Sequence, residues 1–150
     1  FPQNSEAPDC WISSEHGEHG IEVTIAMSKA QAWAGKRLNT SGRSPGMPCL
    51  LDRAHSSEFS KWAENKRAME SVEHIFGTVP KGVEQALELK DKSLYAGMTL
   101  VIEVPLFRID SNRWAGRFDH LVKKAKALQF EKVYLVGANE TGDPFHLCLK

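Results

Sequence analysis

Two stretches decide the fold: "LVIEVPLF" (Leu100–Phe107) and "KVYLVGA" (Lys132–Ala138). In the first, alternation puts Leu100, Ile102, Val104 and Leu106 on one face and Val101, Glu103, Pro105 and Phe107 on the other, the signature of a strand. Between the two lies an amphipathic helix over 116–128, marked by Phe118, Leu121, Val122, Ala125 and Leu128. Strand, helix and strand can form a right-handed βαβ unit, and an antiparallel sheet with an inserted helix fits equally well. Glu103 sits mid-strand, where a carboxylate costs free energy unless it is paired or hydrated. Either its face is exposed near the strand end, or it is a general base on a rigid strand with Lys132 or Arg108 as its electrostatic partner.

The totals bound the answer. A chain of 150 residues, 41% apolar and 25% charged, is one globular domain rather than a disordered segment. Nineteen basic and nineteen acidic side chains cancel, which argues against a strongly basic nucleic-acid binder and leaves a local basic patch open. No apolar run approaches the ~18 residues of a membrane span. The chain starts at Phe1 with neither an initiator Met nor a signal peptide, as a processed mature form or a trimmed chain would. Cys10, Cys49 and Cys148 show no CxxC or zinc spacing, so no metal is expected. A bond between Cys10 and Cys148 would close nearly the whole chain and contribute ~4–5 kcal/mol in the chain-entropy model. Three reduced thiols in a cytosolic protein fit the spacing as well.

Along the chain, residues 1–9 are polar and loose, and Gly20–Ala26 alternates as a strand. Ser28 caps a short helix over Lys29–Leu38, and Asn39–Pro48 is a turn-rich loop before "CLLD", a short strand. Phe59, Trp62, Ala63, Met69, Val72 and Phe76 mark a helix that Gly77 ends, and Pro80–Asp91 is a second helix with Pro near its start. "NETG" turns into a last strand over 144–150. No repeat, GxGxxG or GxxxxGK[ST] occurs, so no nucleotide cofactor is expected. His16 and His19 read as a polar surface loop, and His74 and His120 as solvated helix positions. His146 needs a partner across the sheet for any acid–base role. Lys123, Lys124 and Lys126 form a helix face that reads first as solvated; as a functional face it would contact phosphates as point charges. Trp11, Trp33, Trp62 and Trp114 read as core or half-buried anchors.

The order of "DCW", "MSKAQAWAGKRL", "SPGMPCL", "LVIEVPLF", "KVYLV", "NETG" and "HLCLK" resembles the secreted fungal guanyl-specific ribonucleases and the related ribotoxins, over about half the chain. The resemblance implies an α+β fold: a twisted antiparallel sheet packed on the N-terminal helix, with helical insertions at 52–98 and 111–128 in a single domain. It implies a strand Glu as base, a strand His as acid and cations that offset charge on the phosphorane. Glu103 matches the base. Lys132 stands where an Arg is expected and lacks its planar fork. Cys49 occupies the place of the first His, and the segment carrying the acid is missing, with His146 a weak substitute. So incomplete a set resembles the ribonuclease-like effectors of plant-pathogenic fungi, especially powdery mildews, which keep the fold and a terminal disulfide but not catalysis. Cys10–Cys148 would be that disulfide.

The expectation is therefore a secreted, monomeric effector, delivered into host cytoplasm, that is not an enzyme and needs no cofactor or membrane. Its partners would be host proteins, a plant immune receptor or RNA, the last through Lys123, Lys124 and Lys126, with Glu103, Lys132 and His146 as vestiges. The alternatives are an active ribonuclease using Glu103 with His146 and Lys132, and an intracellular α/β binding protein.

Overall fold

The computed structural model describes residues 8–15, 17–27, 72–106, 110–138, 142 and 144–150. The expected helix over 29–38, the strand at 49–52, most of the helix before Gly77, and Cys49, His16 and Arg108 lie outside them. Among the described residues five strands form one sheet in the order β1 (Cys10–Ser14), β2 (Gly17–Ile25), β3 (Thr99–Glu103), β4 (Lys132–Ala138), β5 (Pro144–Cys148). With α1 (Val72–Leu89) and α2 (Val122–Ala127) this is an α+β fold. The expected antiparallel sheet is corrected: β2, β3 and β4 run parallel, and only the outer pairs β1–β2 and β4–β5 are antiparallel. The βαβ arrangement, left open by the alternation, is the one adopted.

Parallel neighbours cannot be joined by a tight turn, so each step needs a crossover. α1 belongs to the step from β2 to β3, and the 110–127 segment makes the step from β3 to β4. Both pack on the same face, where Leu100, Ile102, Val104, Val133 and Leu135 meet Val79, Val83, Leu87, Leu121 and Ala125 in one core. This is where two crossovers of the same hand, stepping the same way across a sheet, must fall. The helical stretches read as insertions are thus the connections that make the parallel sheet possible.

α1 runs unbroken through Gly77 and Pro80, the expected stop and start of two helices. Pro80 removes one donor from the helix ladder. The buried series Ile75, Phe76, Val79, Val83, Ala86 and Leu87 continues across it, and that packing outweighs the lost bond. Gly82 lies against the end of β2: a Cβ there would stand 3.1 Å from the Ala26 carbonyl carbon. At Gly137 a Cβ would come within 2.5 Å of the Val104 carbonyl oxygen. These two glycines let backbones approach where a side chain would wedge them apart.

The expected helix over 116–128 is shorter and broken. Turns of 3-10 helix at Ser111–Trp114 and Asp119–Leu121 lead into α2. They bury Trp114 and Phe118, whose rings stack at 5.8 Å, and Trp114 Nε1 donates to the Leu106 carbonyl at 3.3 Å. The strand expected over 100–107 ends at Glu103, although Val104 N still donates to the Val136 carbonyl at 2.7 Å.

One charge is buried beneath the sheet. Glu22, 4% exposed, lies beside Leu100 on the core face of β2. Its Oε1 accepts from Lys90 Nζ and, at 3.4 Å, from the Tyr95 hydroxyl. Oε2 has no partner among the described residues. Burial disfavours the Lys90 ammonium, but the hydrogen bond and charge of Glu22, then Tyr95 and Asp9, outweigh it and hold the lysine above its ordinary 10.5. Lys90→Met would leave the carboxylate buried without its cation, with an expected loss of about 3 kcal/mol in urea unfolding near neutral pH. Because the native lysine pKa is raised, the contribution is full below about 10.5 and fades as pH rises through the native value. The gap between wild type and variant should therefore persist in mildly alkaline solution and close only in strong alkali; equal unfolding midpoints near neutral pH would refute the role.

Candidate functional site

One face of the sheet is covered by helices; on the other, where Val23 and Ile25 are exposed and Thr99 is buried, the register lays the side chains in rows. Ile25, Glu103, Val136 and His146 form one row. Val23, Val101, Tyr134 and Cys148 form the next. Cys10, Ile21, Thr99 and Lys132 form a third.

Glu103 is exposed at the end of β3, between two apolar neighbours; its backbone carbonyl accepts from Ala26 N at 2.8 Å, and its side chain makes no hydrogen bond or ion pair with the described residues. Its carboxylate is hydrated, which removes the cost of placing it on a strand. His146, also exposed, shares the row but stands two strand spacings away, ~9.6 Å, with Val136 between them. Lys132 lies four residues down β4 from Val136, ~13 Å from that row. The three residues expected to work together are on one face but not in one place. A phosphorane held between Glu103 and His146 would have no Lys132 beside it to offset its charge.

The expected Cys10–Cys148 bond is corrected by the topology. Cys10 is on β1 and Cys148 on β5, the two opposite edges of the sheet, four strand spacings or ~19 Å apart. A disulfide needs Cα atoms within ~7 Å. Both thiols are free and exposed, with Cys148 Sγ donating to the Lys150 carbonyl at 3.0 Å.

The lysine face is not uniformly basic. Lys124 Nζ reaches Glu88 at 2.7 Å and Glu84 at 2.9 Å, one turn apart on α1. Hydrogen bonds to Glu88 and then Glu84 raise its pKa. Lys123 and Lys126 are exposed beside it. An open groove of about 480 Å³ between the helices is lined by Glu84, Glu88 and Asp91 as well as His120, Lys123 and Lys124. Carboxylates there oppose phosphate binding.

The sequence reading missed two features. His19 is not in a loop: it is a half-buried residue of β2, and its Nε2 is 2.8 Å from Thr99 Oγ1. The alternation of His19, Ile21, Val23 and Ile25 carries that signal, and β2 starts at Gly17 rather than at the expected Gly20. The other is β1 itself, "CWISS", an edge strand exposed at every position. Trp11 is 57% and Ile12 52% exposed, and Val23 and Ile25 on the face away from the helices are nearly as bare.

Among the described residues no group of three or more His, Cys, Asp or Glu side chains could hold a metal ion. No helix among them is long and apolar enough to cross a membrane. No family model, curated protein or solved structure matches the chain.

Two outcomes are expected. Native protein treated with iodoacetamide without reductant should be alkylated at both Cys10 and Cys148; a peptide joining them would overturn the strand order. Total RNA incubated with the protein should remain intact, and cleavage that vanishes in Glu103→Gln would restore Glu103 as a base.

Proposed function

We propose that this chain is a binding protein that takes an extended segment of a protein partner onto the edge of β1 that no other described strand pairs. The observation that carries this reading is the character of that edge. Unpaired strand edges are templates for another chain, and proteins blunt them with charges, prolines, bulges or short strands. β1 carries no charge and no proline over its five residues, and presents Trp11 and Ile12 to solvent. Burying one such side chain is worth roughly 1.5–3 kcal/mol, and the added strand's backbone bonds would fix its register. A single added strand gives a small contact, so binding is transient rather than obligate.

The same reading keeps the non-catalytic half of the expectation from sequence: a secreted effector that binds host proteins. The mixed sheet lends the ribonuclease-like ancestry no further support, and RNA is the weaker partner because Lys124 is already engaged by two carboxylates.

Panning a display library of random extended peptides on the full chain tests the idea. Peptides rich in β-branched and aromatic residues should be enriched on wild type and lost on Ile12→Lys, which blunts the edge at an exposed position. Equal enrichment on both proteins, or none on wild type, would rule the reading out.

A further inference from the structure

The carboxyl ends of the parallel strands hold a second feature. Beyond β3 the chain enters the Ser111–Trp114 turn and its continuation, which carry two exposed arginines, Arg113 and Arg117. Both guanidinium groups lie over one aromatic ring: Arg113 is 5.4 Å and Arg117 4.1 Å from the centroid of Phe76. They are therefore no farther apart than those two distances end to end.

The platform is rigid. Phe76 is buried on α1 and meets Trp114 edge-on at 4.8 Å. Trp114 is tied to the Leu106 carbonyl, and the backbone N–H groups of Arg113 and Arg117 donate to the carbonyls of Asp110 and Trp114 at 2.9 and 3.1 Å. Neither arginine has a carboxylate partner among the described residues. Asp110 uses Oδ1 to accept from Asn112 N at 2.7 Å, and exposed Asp119, whose Oδ2 would stand 3.7 Å from a Cβ on Gly116, makes no ion pair with either arginine. In a chain with no net charge, two like charges held on one ring without an ion-pair partner among the described residues can form a site for an anion. The planar forks of two arginines suit the tetrahedral oxygens of a phosphate, and stacking on the ring orders them before it arrives.

We propose that Arg113 and Arg117, seated on Phe76, bind the phosphate monoester of a small ligand at the carboxyl edge of the sheet. A dianion matches two cations. A phosphodiester of RNA carries one charge per phosphate and matches them less well.

The test is calorimetry on the full chain with inorganic phosphate, 5′-AMP and a short single-stranded RNA lacking terminal phosphates, alongside the Arg Nε–H resonances by NMR. Phosphate and 5′-AMP should bind saturably and shift two Arg Nε–H signals. Arg113→Ala with Arg117→Ala should weaken binding about tenfold or more, and Arg113→Lys with Arg117→Lys should weaken it less, since charge survives without the fork. The lysine pair also keeps a cation near Phe76, so it decides the matter if the alanine pair fails to fold. Lys123→Ala with Lys126→Ala should change nothing. Absence of saturable binding, wild-type affinity in both arginine pairs, or binding of the RNA alone would overturn the proposal.

Discussion

Everything described depends on the parallel pairing of β3 with both of its neighbours. Once β2, β3 and β4 run the same way, each connection must travel the length of the sheet to return to its starting edge. α1 and the 110–127 segment lie on one face, so that face becomes the core, and on the other Val23 and Ile25 are exposed. Among the described residues the antiparallel pair at each flank ends the sheet, with a cysteine on either outer strand. The exposed Val23 and Ile25, the unblunted edge and the separation of the cysteines are consequences of strand direction and not separate designs.

The close approaches that this packing requires are made at few points. Gly82 lets α1 settle on the end of β2, and Gly137 lets β4 pass the Val104 carbonyl. At the opposite end of the strands, Lys90 reaches back from α1 to the buried Glu22, joining the crossover to β2 by charge where apolar contact gives out. Lys124 ties α2 to α1 from the solvent side. Such exposed pairs add little stability, but they set which lysines are left for a partner.

For function, the strand direction moves attention from the middle of the sheet to its margins. Glu103, the residue with the most suggestive chemistry in the sequence, is a hydrated carboxylate beside apolar neighbours. The β1 edge, exposed at every position, and the two arginines over Phe76 are the features that stand out there.

The sequence by itself determined which residues turn inward. Leu100, Ile102, Val104 and Leu106 are buried as their alternation required, β4 runs over the residues expected, and Phe118, Leu121, Ala125 and Leu128 face the core. Alternation has the same period in parallel and antiparallel strands, so it was silent on direction, and with it on the neighbours of Glu103 and the distance from Cys10 to Cys148. Gly77 and Pro80 looked like punctuation because local propensity is all a sequence displays; the core contacts that carry α1 through them form only when the sheet is there. The same holds for Arg113 and Arg117. They are ordinary surface residues in the sequence, and only tertiary packing sets Phe76, distant along the chain, beneath both of them.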